Sequence, residues 1–253
     1  MKFNNTLTKE MYENHLLWIS GNNGTRLHLS RVDLSNMDLS QMDLSGAILE
    51  TVNLSDAILK NTNLSDASLR NVNLKGASLK NINLEDASLI NVDFKYTYLK
   101  FANLTNVNAT GSDFSNSELS NVLLNGANLR GVILKDANMS NSNFTHTYLA
   151  GADLSGADLY GANFMGADLT KVILDGTRIQ NVIGNGKEIR SMHIEDYEIS
   201  FTNNLLIIGC KQHTIEDWKN FTDEEIKPMS ENALKFWTKW KEFIFTAIEL
   251  TKG

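Results

Sequence analysis

Every fifth residue from Leu29 to Ile179 is apolar, with no break in phase. Of the 31 positions, Leu fills 24, and Phe94, Phe114, Phe144, Phe164, Met139, Ile179 and Ala109 fill the rest. A period of five matches neither the roughly 3.6 residues of a helix turn nor the roughly 2 of a strand. Each unit must therefore contain a turn that brings the next leucine inward. Self-similarity at a fixed short period is the mark of a repeat architecture.

The residue two before each apolar centre is the second inward candidate. It alternates between Ala (Ala47, Ala57, Ala67, Ala77, Ala87) and something larger (Val52, Thr62, Val72, Ile82, Val92). Small facing large fills a narrow core without voids. The residue before the centre is often Asp or Asn (Asp33, Asn53, Asn63, Asn73, Asn83), and the second after it is often Gly, Asn or Asp (Gly46, Asp56, Asn61, Gly76, Gly126). Those types make tight turns and side-chain-to-backbone hydrogen bonds. The run Ala152-Asp153-Leu154-Ser155-Gly156-Ala157-Asp158-Leu159-Tyr160-Gly161 resembles the consensus of the pentapeptide-repeat family. The resemblance implies a right-handed four-sided β-helix with one pentapeptide per side, twenty residues per coil and about eight coils. At about 4.8 Å per coil the rod would be roughly 37 Å long. Phe94 should then stack on Phe114, and Phe144 on Phe164.

Three segments follow from the pattern: a capping helix within 1–24, the β-helix over 25–180 and an α+β tail over 181–253. The fold class is thus mainly β. Residues 8 to 20 read as a helix capped by Thr8, with Met11, His15, Leu16, Trp18 and Ile19 as its apolar stripe. A solenoid end exposes apolar surface and unpaired edges, so a cap is needed there. Met1 to Glu13 lacks the apolar run of a signal peptide, and no stretch is long and apolar enough for a membrane span. A single cysteine suits a reducing, cytoplasmic compartment. In the tail, Glu188 to Ile194 and Tyr197 to Ile208 suggest two or three strands, with a turn at Asn203-Asn204. Helices then open at Thr214, at the Thr222 capping box and at Ser230. The last is apolar nearly all round, so it either packs on two sides or offers Trp237, Trp240 and Phe243 to a partner or a second copy. Ile208-Gly209-Cys210-Lys211-Gln212-His213 and the Trp-containing last helix resemble the tails of phage and prophage pentapeptide-repeat proteins.

No catalytic motif is present, and no cofactor or metal is expected. Cys210 and His213 are half a zinc site at most, and read as a buried cysteine and a capping histidine. Ala109, where a leucine belongs, predicts a void, a kink or a notch. Lys60, Lys80 and Lys100 lie twenty apart and should form a row; Lys75, Lys95 and Lys135 fall on an adjacent side, and Asp93, Asp113 and Asp153 share another. Two functions compete. One is a protein-interaction module. The other, implied by the resemblance, is a DNA mimic that inhibits a topoisomerase or a defence nuclease. Duplex DNA carries a charge every ~1.7 Å, so a full mimic would need on the order of 20 net negative charges. Residues 26–180 carry 16 acidic and 12 basic side chains, a net of −4. The whole chain is at −7, which also disfavours direct nucleic-acid binding. The interaction module ranks first.

Overall fold

The computed structural model describes residues 4–250; the first three residues of the Met1–Glu13 stretch lie outside it. The chain runs as a helix, α1 (Lys9–Ile19), a long parallel ladder, a four-stranded antiparallel sheet and three terminal helices. In the ladder every bridge joins residues twenty apart: Asp33 to Asn53, Asp38 to Ile58, Asp43 to Asn63, and so on through Asn163 to Ile183. Four such columns make a four-sided β-helix. Only β1 (His28–Ser30), β2 (Ile48–Glu50) and β3 (Ser68–Arg70) are long enough to count as strands.

Each five-residue unit has one mechanism. The centre points inward and donates its N–H to the next coil, as Leu34 does to Asn53 O at 2.7 Å and Leu54 to Asn73 O at 2.7 Å. Two residues later the backbone enters the left-handed region, at φ near +56° in Asp56, Asn61 and Asp66. Asn, Asp and Gly tolerate that conformation, which explains their preference there. The Asp or Asn before the centre accepts the N–H two residues on, as Asn53 Oδ1 does from Ser55 at 3.2 Å. Its amide also links coils: Asn73 Nδ2 donates to Asn53 Oδ1 at 2.9 Å, and Asn53 Nδ2 to Asp33 Oδ1 at 3.0 Å.

The interior is a continuous apolar column of leucines and alanines. The expected stacks are present, Phe94 on Phe114 at 4.3 Å and Phe144 on Phe164 at 4.6 Å. Where a hydroxyl replaces an inward apolar group it is satisfied by backbone. Thr62 Oγ1 donates to Leu39 O at 2.9 Å, and Ser142 Oγ to Leu119 O at 2.6 Å. Ala109 does not kink the rod. It is fully buried, and the ladder runs through it, with Leu89 N–H to Asn108 O at 2.7 Å and Ala109 N–H to Asn128 O at 2.9 Å.

Helix α1 is capped by Thr8 Oγ1, which accepts from Met11 N–H. Its buried face differs from the expected stripe. Tyr12 and His15 face the first coil, while Leu16, Trp18 and Ile19 stay partly exposed. Tyr12 Oη accepts from Asp43 N–H at 3.1 Å, and His15 Nδ1 accepts from Leu27 N–H at 3.1 Å. Gly24 is required here, since a Cβ would lie 2.0 Å from Asn14 O.

Among its described residues the tail holds four strands, not two or three. They are β4 (Arg190–Ile194), β5 (Tyr197–Phe201), β6 (Leu205–Ile208) and β7 (Lys211–Thr214), paired in that order as a meander. The expected turn at Asn203-Asn204 splits the long run in two. One face of the sheet meets the rod through Ile207, which joins the rod's core together with Ile189. The other face, with Ile199, Phe201, Leu206 and Ile208, packs on the terminal helices. These are α2 (Ile215–Asn220) and α3 (Asp223–Ile226), opened by capping boxes at Thr214 and Thr222, and α4 (Ala233–Leu250). Ser230 Oγ pairs with Tyr197 Oη at 2.7 Å instead of the helix start.

Candidate interaction surface

A side of the β-helix presents the residue before each centre and those just after it. Lys60, Lys80 and Lys100 follow the bridged residues Ile58, Ser78 and Tyr98 by two, so they stack in consecutive coils as one row. Their carbonyls accept from Gln41, Asn61 and Asn81 at 3.0, 3.0 and 3.1 Å. Neighbouring ammonium groups held about 5 Å apart would repel by up to about 0.8 kcal/mol in water. Among the described residues none of the three has a carboxylate partner. The same side carries exposed apolar groups, Ile58, Tyr98 and Phe101, the last 49% exposed. Lys80 and Lys100 lie over the Phe101 ring, at 6.0 and 5.3 Å from its centroid. Sequence reasoning missed these apolar groups. The signal was legible, since Phe101 occupies a left-handed corner (φ +62°) where Gly, Asn or Asp is usual.

The second lysine row is arranged otherwise. The acidic residues were expected on a separate side, but Lys95 Nζ lies 2.9 Å from Asp113 Oδ2 and 3.8 Å from Asp93 Oδ2, and Lys135 Nζ lies 3.0 Å from Asp153 Oδ2. Asp93 and Lys95 belong to one pentapeptide, and the coil sets Asp113 directly against them. Desolvation opposes ionisation of Asp113 and Asp153. The hydroxyl and N–H of Ser115 and Ser155, with Lys95 and Lys135, outweigh it and hold both carboxyls below the usual carboxylate range. The hydrogen bond to Asp113 raises Lys95. This acidic row is largely neutralised within the chain.

In the tail, Trp237 belongs to the core and not to a free surface. It is 4% exposed and lies 5.2 Å from Trp218. Its neighbours on the buried stripe of α4 are Ala233, Phe236, Ile244 and Ile248. Trp240 is half-buried with Lys239 Nζ 4.9 Å from its ring centroid, and Lys239 pairs with Glu195 at 2.5 Å. Phe243 is the candidate that faces outward, at 53% exposure. Cys210 is exposed, not buried, in the turn before β7. His213 sits on β7, packed edge-on against Trp218 and Phe221, and caps no helix. Among the described residues no three His, Cys, Asp or Glu side chains converge as metal ligands.

The pentapeptide-repeat family model matches residues 28–66, 67–100, 97–136 and 137–176. The chain belongs to the pentapeptide-repeat family. Proteins of this family form right-handed β-helices, in keeping with the twenty-residue bridges. Among solved structures it is similar to HetL from the cyanobacterium Nostoc sp. strain PCC 7120, described as involved in heterocyst differentiation regulation. The identity is 26% over 67% of this chain and 94% of that one, with a TM-score of 0.39. A trypsin-treated form of QnrB1, a plasmid-mediated fluoroquinolone resistance protein, is 19% identical over 63% of this chain and 84% of that one, at a TM-score of 0.29. Rfr23 from the cyanobacterium Cyanothece 51142 is 22% identical over 69% and 99%, at 0.15. With scores this low, the fold assignment rests on the family match and the ladder. No curated protein matches the chain. The family match ends at residue 176, so the phage-like character of the tail belongs to the sequence reading alone.

Proposed function

We propose that this pentapeptide-repeat protein is a non-catalytic interaction module whose Lys60, Lys80 and Lys100 side receives an acidic segment of a protein partner. The observation that carries the reading is the contrast between two lysine rows. In one, Lys95 and Lys135 are neutralised by Asp93, Asp113 and Asp153, with Lys75 set against the Tyr96 ring; in the other, among the described residues, no lysine has a carboxylate partner, and the row stands beside Ile58, Tyr98 and Phe101. Carboxylates of a partner would relieve the repulsion within the row, and apolar groups would cover the aromatics. The test is a triple charge reversal, Lys60→Glu, Lys80→Glu and Lys100→Glu. A partner captured from the source cells by the native protein should be lost by the variant, with an unchanged melting temperature. Retention of that partner by a folded triple variant removes this side from the function.

The DNA-mimic reading draws on the acidic row, and its neutralisation speaks against it. Native protein is expected not to inhibit gyrase-type supercoiling, and potent inhibition at equimolar protein would reverse the order of the two readings. A second contact point belongs to the same proposal. Phe243, beside half-buried Trp240, gives α4 an outer apolar face on which a second copy or a partner docks. The exposed thiol of Cys210 suits the reducing cytoplasm, and the tail resemblance is the sole support for a phage or mobile-element origin.

A further inference from the structure

Each coil of the rod is paired by the next, so the last coil has no successor. On three sides the tail supplies side chains where the missing N–H groups would be. Asn185 Nδ2 donates to Ala167 O at 3.2 Å, Gln212 Nε2 to Thr177 O at 2.6 Å and Ser191 Oγ to Val182 O at 2.6 Å. On the fourth side the equivalent carbonyl is that of Val172. One coil earlier, Ala152 O accepts from Ile173 N–H at 3.0 Å; among the described residues nothing donates to Val172 O. Leu154 and Gly156 N–H donate onward at 2.9 and 2.8 Å, whereas among the described residues their counterparts Leu174 and Gly176 have no acceptor, as is also true of Leu169, Lys171, Ile179 and Asn181 on the other sides; the uncapped Val172 carbonyl is what sets this side apart.

The core is open at the same place. Ala167, Leu169, Thr177, Ile179 and Val182 are buried, but Val172 and Leu174 are only partly so, and Ile173 is 43% exposed. A cleft of about 270 Å³ lies between residues 172–175 and the wall formed by Glu188, Thr202, Asn203 and Asn204. Two donors, one acceptor and an apolar floor in strand register are what an added strand requires.

We propose that this edge takes an extended peptide segment of another protein, paired in parallel with residues 172–176. An apolar side chain covers Val172 and Leu174, and a basic residue faces Asp175 and Glu188. The two carboxylates at the rim and the net charge of −7 favour a basic segment over a second copy of this acidic chain. The inference goes beyond the lysine side and stands or falls without it.

The experiment titrates the isotope-labelled full chain with a blocked Gly-Val-Lys-Leu-Lys-Gly peptide, followed by amide NMR and hydrogen exchange. Saturable shifts and slowed exchange are expected at Leu174 and Gly176. The Gly-Val-Glu-Leu-Glu-Gly counterpart should bind more weakly by about fivefold or more. Asp175→Lys, at an exposed position, leaves one charge of each sign at the rim with Glu188 and should remove that difference. Unchanged Leu174 and Gly176 amides at millimolar peptide overturn the proposal, and so does an undiminished preference for the basic peptide in Asp175→Lys. Shifts at these amides that track protein concentration without peptide would also overturn it, by showing a second copy on the edge.

Discussion

Replacing Leu79 by alanine should open the middle of the rod and leave its far end untouched. Leu59, Leu79 and Leu99 stack in one column, and none shows exposed surface. Backbone bonds fix their spacing, with Leu59 N–H to Ser78 O and Leu79 N–H to Tyr98 O, both at 2.8 Å. The column therefore cannot close around the missing atoms. The cost belongs in the upper part of the range for buried leucine, at about 3–5 kcal/mol. A loss of about 4 kcal/mol raises the population of the locally opened state roughly a thousandfold. Native-state hydrogen exchange reads this directly at the Leu59 and Leu79 amides. Each coil touches only its neighbours, so the Leu159 amide, four coils away, should change by less than about threefold. Native exchange at Leu59 and Leu79 would refute the inward assignment. Equal acceleration at Leu159 would refute the nearest-neighbour argument. Leu79→Lys should cost more still, because the ammonium would have no partner.

Thr51 holds a left-handed corner at φ +55°, between Arg31 and Asn71 in its column; Thr51→Asn should stabilise the rod by about 1 kcal/mol in thermal melts. Trp237→Glu should unfold the tail by circular dichroism, whereas Phe243→Glu should keep the fold and, in sedimentation, lose any oligomer that the native protein forms. Acid should act in two stages, followed by urea unfolding at several pH values. Burial lowers His15, against the opposing pull of Asp43, so the unfolded chain takes up its proton first and stability falls as pH drops below about 6.5. Asp113 and Asp153 have depressed folded values; their contribution is complete above about 3.9, the unfolded value, and is lost as pH falls through the folded ones.

The rod was legible because one rule is repeated at every corner. A phase of five fixes which residues point in, and a period of ten in Ala and Val fixes how sides oppose. What escaped was whatever depends on meeting across coils. Lys95 reaches Asp113, eighteen residues on, and that contact appears only once positions are counted by side. The tail was harder because it has no repeat. Strand β7, Lys-Gln-His-Thr, is polar because Gln212 caps a rod carbonyl while His213 packs on Trp218, so neither hydrophobic alternation nor composition marks it. Helix α4 is apolar on more than one side, and periodicity alone could not say that Trp237 faces in and Phe243 out.

The four-sided coil also sets an angular relation between the two ends of the molecule. The lysine side and the tail are fixed about the rod axis by a count of residues alone. Deleting twenty residues, such as 121–140, would shorten the rod by one coil, about 4.8 Å, and keep Ile207 and Gln212 over the same sides. Deleting five would keep every leucine inward, put the alternation of small and large residues out of step, and swing the tail a quarter-turn from the row of Lys60, Lys80 and Lys100. Length along the rod can therefore drift in steps of a coil without disturbing a partner that spans both ends, while a single pentapeptide gained or lost would put its two contacts on different faces.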